Sequence, residues 1–124
     1  MDFLELLITV VFFVHGLVML ITGVTFLLPE SARTVKERSW FLQGWTPFPL
    51  EAVLGLLFWG VSGALFIAAA FGHARGAEWW GDVVTLGGIG TIAAVVVWLG
   101  SVPLGAYLGA ALALGVLFWS FFLR

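Results

Sequence analysis

Few side chains in this sequence can bind a ligand, move a proton or hold a metal ion, and His15 is foremost among them. It lies in FFVHGLVML, residues 12 to 20, near the middle of an apolar segment. An imidazole can donate or accept hydrogen bonds, carry a proton or ligate a metal ion. Ionisable side chains inside a membrane are costly to bury without a partner, so they are functional candidates. A neutral histidine bonded to another helix is the structural alternative.

Other polar residues are predicted to lie at the depth of His15. If the apolar segments are straight helices that alternate in direction, Ser62 and Thr91 come level with the imidazole. These three residues predict a polar cluster at the middle of a bundle. Thr22 lies two turns along from His15 on the same helix face and extends the cluster. The cluster is a candidate ligand-binding or proton-handling site.

Two further polar groups are predicted nearer the membrane surfaces. The first combines Glu51 with Thr25 and Tyr107. Glu51, Gly55 and Ser62 share one helix face, so the Glu51 carboxylate is predicted to face protein rather than lipid. The second group is interpreted as solvated loop charge and consists of Glu5, His73, Arg75 and Asp82.

No arrangement typical of a catalytic or metal centre is visible in the sequence. The chain has no cysteine, which excludes disulfides, thiolate metal sites and cysteine nucleophiles. No two carboxylates share a predicted site, and no Ser-His-Asp set lies at one depth. His73 lies about half a membrane away from His15, so one chain cannot easily bring both to one haem, although two copies of His15 could. The sequence favours a non-enzymatic role without metal, and leaves quinone or haem open as cofactors.

The elements that carry these residues are apolar. The chain of 124 residues is 62% hydrophobic and 10% charged, whereas a soluble domain is about 25% charged. Uncharged runs cover residues 6 to 29, 52 to 74 and 83 to 123. A bilayer core of ~30 Å needs about 20 helical residues, so the first two runs each hold one crossing and the third holds two. Gly100, Ser101 and Pro103 mark the break in the third run.

These runs predict an all-α polytopic membrane protein, a four-transmembrane-helix bundle formed by one domain over residues 1–124. The predicted spans cover residues 4–28, 50–72, 82–100 and 103–123, with an interfacial loop over 29–49. Lipid tails do not drive helices together, so close packing depends on small side chains. The predicted packing residues are Gly105, Gly109 and Ala113 in the fourth span, with Gly60 and Ala64 in the second.

Charge predicts the orientation and the partners. Arg33, Lys36 and Arg38 lie in the first loop, whereas the opposite side carries Arg75 and Arg124. The positive-inside rule therefore predicts an integral protein of a prokaryotic cell membrane, with the first loop cytoplasmic and both termini outside. The net charge of −2 argues against nucleic acid as a partner. The predicted partners are the lipid bilayer and either a second copy or a larger membrane complex.

The first loop contains Thr34 and Glu37 at the spacing of a helix capping box. A short helix there brings Trp40 and Phe41 to the membrane interface, as an anchor or as a contact for anionic lipid or a partner. Most other tryptophans lie near predicted span ends and are interpreted as an aromatic belt: Trp45, Trp79, Trp80, Trp98 and Trp119. Trp59, near the middle of the second span, is the exception.

The plan of a short four-span chain resembles the DoxX-like group of small four-helix membrane proteins. The likeness is carried by LEAVLG, residues 50 to 55, in which a glutamate opens a glycine-bearing second span. Members of that group have been linked to quinone-dependent sulfur oxidation and other redox complexes. The resemblance implies Glu51 as a position of functional interest. This chain departs from the pattern in lacking cysteine and a basic residue before the first span, and in carrying His15.

Three functions are compatible with these features. The first is a membrane protein that binds a lipid or hydrophobic small molecule, or serves as an accessory subunit of a membrane complex. The second is a small proton-coupled transporter or channel, working as a homodimer through the small-residue face of the fourth span and using His15 and Glu51. The third is a quinone-linked redox subunit.

Overall fold

The computed structural model describes residues 2–29, 33, 35, 39–42, 44 and 46–124, without the side chain of Phe48. The described residues form helices and no strands. Four helical segments are long and apolar enough to cross a membrane, and they are numbered here as spans one to four: Phe3–Leu27, Pro49–Ala74, Trp80–Val97 and Leu104–Leu123. The predicted all-α four-transmembrane-helix bundle is confirmed. The predicted capping box, Lys36, Arg38 and Trp45 lie outside the described residues.

Span one is helix α1 (Phe3–Val24) and a 3₁₀ turn (Thr25–Leu27). The Asp2 carboxylate caps α1 by accepting a hydrogen bond of 2.8 Å from the Glu5 N–H. An acidic cap suits this end because the first backbone N–H groups of a helix have no partner within the helix.

Span two has two α-helical parts joined by a wider turn. Helix α2 (Phe48–Gly55) begins with a proline in its first turn, and a π-helical turn (Leu56–Val61) connects it to α3 (Ser62–Ala74). A π turn bonds residues five apart, so it changes which side chains face a neighbouring helix. In this turn two consecutive residues, Trp59 and Gly60, are buried.

Spans three and four form a tight hairpin. Helix α4 (Trp80–Val97) and helix α5 (Leu104–Phe118) are joined through Gly100, whose φ of 88° suits glycine. The Tyr107 hydroxyl accepts a hydrogen bond of 3.2 Å from the Gly100 N–H and closes the turn. A π-helical turn (Trp119–Leu123) ends span four.

Spans one and two touch backbone to backbone through glycines. A β-carbon at Gly16 would lie 2.7 Å from the Gly63 carbonyl oxygen, and one at Gly23 would overlap the Gly60 backbone nitrogen. Such close approach is how membrane helices gain packing energy without a hydrophobic drive. Of the two packing residues predicted in span two, Gly60 lies in this contact together with Gly63, whereas Ala64 is exposed and lies outside it.

Two aromatic clusters fill the bundle. In the cluster near the first loop, Trp98 is fully buried, with ring centroids 5.6 Å from Phe26 and 5.9 Å from Phe58. The interpretation of Trp98 as an interfacial belt residue is therefore wrong, because bundle helices enclose its ring. In the cluster near the chain termini, Trp80 stacks on Trp119 with centroids 5.1 Å apart.

The described part of the first loop is bonded to span three. The Ser39 hydroxyl donates to the Val97 carbonyl, and the Trp40 indole N–H donates to the Val96 carbonyl at 2.9 Å. Val35 and Leu42 are buried in the adjacent aromatic cluster. The loop therefore covers one end of the bundle.

Candidate functional site

Span one packs on span two, span two on span three, and span three on span four. Within the third of these pairs, Gly88 lies close to Leu117 and to the Ala113 carbonyl. Spans one and four have few contacts with each other, so a cleft lies between them. The cleft contains a cavity, which His15 lines, and a wider groove.

His15 is held by all three other spans. Its Nε2 shares a hydrogen bond of 3.2 Å with the Thr91 hydroxyl of span three. Its ring meets the Phe66 ring of span two edge-on, with centroids 4.4 Å apart. On the span-four side, a β-carbon at Gly109 would lie 2.6 Å from His15 Cε1 and 3.0 Å from Nδ1. Glycine at position 109 therefore makes room for the imidazole in the cleft.

The Thr91 hydroxyl links His15 to Met19. Thr91 Oγ1 lies 3.0 Å from the Met19 sulfur as well as 3.2 Å from His15 Nε2. A hydroxyl has one proton, so Thr91 donates either to the thioether or to the imidazole. In both arrangements this buried threonine ties span three to span one.

The cavity has a volume of about 190 Å³ and a mostly apolar wall. Its polar lining consists of His15, Thr22, Thr91 and Trp59. The Thr22 hydroxyl is occupied, since it donates to the Val18 carbonyl at 2.9 Å. The other lining residues are apolar and come from spans one, three and four and from the turn before span four: Val18, Met19, Val95, Pro103, Gly105, Ala106 and Gly109.

Trp59 differs from the other polar residues of the cavity wall. The residue is 2% exposed, and its Nε1 has no hydrogen-bond partner among the described residues. A buried indole N–H is normally bonded. Trp98 shares this property, but it does not line the cavity.

The groove lies beyond His15 towards the chain termini and has a volume of about 550 Å³. His73 lines the groove and shares a hydrogen bond of 2.8 Å with Thr9. His73 therefore connects spans one and two, which corrects its interpretation as solvated loop charge. Arg124 forms an ion pair with Asp82 at the same end. The other lining residues are aliphatic or aromatic, apart from one glycine: Leu7, Ile8, Val11, Phe12, Trp80, Leu112, Gly115, Val116 and Trp119.

The structure brings part of the predicted polar cluster together. His15, Thr91 and Thr22 all line the cavity. Ser62 is buried at a similar depth, but it packs against Gly90 of span three and lies outside the lining. Depth along the helices could not distinguish Ser62 from the residues that line the cavity, because depth does not show which way each side chain points.

The residues of the predicted group around Glu51 each bond to a different part of the chain. Glu51 is 3% exposed, and its carboxylate accepts a hydrogen bond from the Ser39 N–H of the first loop. Tyr107 is bonded to the span three–four turn, and Thr25 donates to the Thr22 carbonyl at 2.6 Å. Neither Glu51 nor Tyr107 lines the cavity. The expectation that Glu51 faces protein agrees with its burial.

No family model, curated protein or solved structure matches this chain. The site is therefore interpreted from its own residues, and the DoxX-like resemblance stays a prediction. Among the described residues, no group of three or more histidine, aspartate and glutamate side chains is placed to hold a metal ion.

Sequence reasoning missed Trp59 and Met19 as parts of the site. The position of Trp59 in the middle of an apolar span was a signal, because tryptophan otherwise clusters at span ends. Met19 follows His15 by four residues and so shares its helix face. The contact of His15 with Gly109 depends on the neighbour order of the helices, which no spacing in the sequence reveals.

Proposed function

We propose that this protein binds a small hydrophobic molecule from the membrane in the cavity between spans one and four. The observation that carries the proposal is the cavity itself, about 190 Å³ with an apolar wall and a few polar groups. An engineered apolar cavity of about 150 Å³ binds benzene. The space is therefore large enough for a single six-membered ring and too small for a peptide helix.

The position of the cavity supports uptake from the bilayer. The groove in the same cleft is lined by exposed Leu7 and Val11, side chains that face lipid when span one crosses a membrane. A molecule dissolved in the acyl chains thus reaches the cleft without entering water. Binding is favoured over transport because Glu51, the second ionisable residue that transport was expected to use, is bonded to Ser39 and lies outside the cavity.

The two methionines of the chain allow a direct test. Met19 lines the cavity, and the other methionine is Met1. The protein, labelled with ¹³C at the methionine methyl groups and placed in lipid nanodiscs, is titrated with methylenecyclohexane. Because the probe would fill the empty space beside Met19, we expect a saturable change in the Met19 methyl shift. A Met19→Leu variant assigns the signal.

A matched pair of variants distinguishes binding of the probe in the cavity from its partition into the surrounding lipid. Ala106 lines the cavity, whereas Ala111 of the same helix is exposed and lines neither the cavity nor the groove. Ala106→Leu fills part of the space and should weaken the Met19 response at least tenfold. Ala111→Leu should leave it unchanged. An unsaturable response, or equal responses in both variants, contradicts the proposal.

A further inference from the structure

Among the described residues, one ring nitrogen of His15 has no hydrogen-bond partner. Nε2 is bonded to the Thr91 hydroxyl, and the nitrogen without a partner is Nδ1. His15 is half-buried, and its Nδ1 is not enclosed by protein: in the described part of the chain, the enclosed side-chain nitrogens and oxygens that lack a partner are the indole nitrogens of Trp59 and Trp98. Nδ1 is therefore accessible to a small molecule beside the ring.

The edge of the imidazole that carries Nδ1 lies at the cavity. His15 and Gly109 both line the cavity, and neither lines the groove. A β-carbon at Gly109 would lie 2.6 Å from Cε1 and 3.0 Å from Nδ1 of His15, but 3.9 Å from Nε2. Because glycine has no β-carbon, this part of the wall leaves the Nδ1 edge uncovered.

The contacts of Thr91 decide whether Nδ1 donates or accepts a hydrogen bond. The Met19 thioether has no proton to give, so its 3.0 Å contact with Thr91 Oγ1 is a hydrogen bond only if Thr91 donates. That uses the one hydroxyl proton, and the 3.2 Å contact with His15 is then a hydrogen bond only if Nε2–H donates to Thr91. A neutral imidazole carries one N–H, so Nδ1 is left as an acceptor. The opposite tautomer would make one of these bonds instead of two and leave an Nδ1–H donor unpaired, which is the costlier arrangement.

We infer that the ligand of this cavity is an uncharged, ring-sized molecule with one hydroxyl group, which donates a hydrogen bond to His15 Nδ1. The inference rests on the proposed function and adds the ligand's chemical class. A hydroxyl brings a single proton, whereas an amino or amide group brings a second N–H that the mostly apolar wall would leave unbonded. The described lining contains no aspartate, glutamate, lysine or arginine, so a charged group would be buried there without a counter-charge.

The test compares two probes of nearly identical shape. Phenol and toluene differ in that a hydroxyl group replaces a methyl group. Affinities are read from the Met19 methyl shift in nanodiscs, so probe dissolved in lipid does not contribute to the signal. The ratio of phenol affinity to toluene affinity should be about tenfold higher in the wild type than in His15→Phe, which keeps a flat ring but has no acceptor. Comparing the same two probes in both proteins cancels the difference in their partition into lipid.

His73→Phe is the matched control. It removes the other imidazole of the chain, which lines the groove and not the cavity. The preference for phenol should persist in His73→Phe. Loss of the preference in both variants, or its survival in His15→Phe, overturns the assignment of Nδ1 as the acceptor.

A measurement on the unsubstituted protein guards against variants that fail to fold. With ¹⁵N-labelled histidine at about pH 8, above the ordinary imidazole pKa, nitrogen shifts distinguish a protonated ring nitrogen from an unprotonated one. Nδ1 of His15 should be unprotonated, and it should shift upfield on addition of phenol and not on addition of toluene. The spectrum of His73→Phe assigns the signals of His15.

The failure of this inference and the failure of the proposed function give different results. A protonated Nδ1 in the protein without probe overturns the inference alone. So does an Nδ1 that ignores phenol while both probes move Met19 saturably, the result expected if a water holds this nitrogen. If neither probe moves Met19, the proposed function fails with the inference.

Discussion

At the scale of single residues, His15 makes contacts between helices and also lines the cavity. Its Nε2 is engaged with Thr91, its ring packs on Phe66, and its remaining edge faces Gly109. A polar residue in the membrane interior is tolerated when it is paired with a neighbouring helix. The same pairing holds the imidazole at the wall of the cavity.

The fit between His15 and Gly109 gives a prediction about stability. A β-carbon at position 109 would lie 2.6 Å from His15 Cε1, and Thr91 and Phe66 restrict where the ring can move. Gly109→Ala should therefore destabilise the protein by about 1–3 kcal/mol, the usual cost of overpacking. The free energy of unfolding in mixed micelles measures it.

Gly115 is the control for this substitution. It lies on the same helix, and a β-carbon there would meet nothing within 4 Å. Gly115→Ala should leave stability unchanged or raise it slightly, since alanine is the better helix former. Equal effects of the two substitutions would mean that the imidazole moves aside without cost.

At the scale of elements, spans one and two behave as a locked pair. Gly16 meets Gly63, and Gly23 meets Gly60, with backbone against backbone. The contact therefore requires each glycine of span one to lie at the same level as its partner glycine in span two, one of which is in the π turn. Spans one and two are therefore packed more closely against each other than spans one and four are.

Gly23→Ala should disrupt this pair. The added methyl group would overlap the Gly60 backbone, which cannot rotate away as a side chain can. We expect a loss of at least ~3 kcal/mol in the free energy of unfolding, at the upper end of overpacking costs. The measurement is unfolding of the purified variant in mixed micelles, followed by circular dichroism.

Ala64→Leu provides the comparison within the other helix of the pair. Ala64 is exposed, so a larger apolar side chain there should cost less than ~0.5 kcal/mol. Strong destabilisation by Ala64→Leu together with tolerance of Gly23→Ala would contradict this account of the packing.

At the scale of the whole molecule, the described part of the first loop holds one end of the bundle together. Glu51 of span two accepts from the Ser39 N–H, and the Ser39 hydroxyl donates to Val97 of span three. Ser39 is fully buried, and its bond to Glu51 is shielded from water. The loop therefore links spans two and three independently of the cleft.

Glu51→Ala should release this loop. The buried Ser39 N–H would lose its acceptor, at a cost of about 1–3 kcal/mol. Hydrogen exchange should become faster over residues 39–42, while ligand probes still move the Met19 signal. Glu5→Ala is the control because the Glu5 side chain is exposed. Unchanged exchange in Glu51→Ala would show that the carboxylate does not hold the loop.

Sequence reasoning reached the cavity in part. The shared depth of His15 and Thr91 followed from counting along straight spans, and the two side chains do meet. Ser62 lies at the same depth but turns towards Gly90, and Trp98 lies at a span end but turns inwards. The rotation of each helix about its own axis decides which side chains face the bundle. An apolar helix surrounded by lipid has only a weak hydrophobic periodicity, so its sequence gives little indication of that rotation.

The sequence by itself determined that the chain has four helices long and apolar enough to cross a membrane, because a bilayer sets the length and polarity of any segment that spans it. It also singled out His15, since a polar side chain inside such a segment requires a partner. Only the tertiary structure decided that spans one and four part around a cavity, and that Trp59 borders it with an unbonded N–H. These features arise from glycine contacts and a π turn that bring together residues far apart in the chain, and no local pattern encodes that meeting.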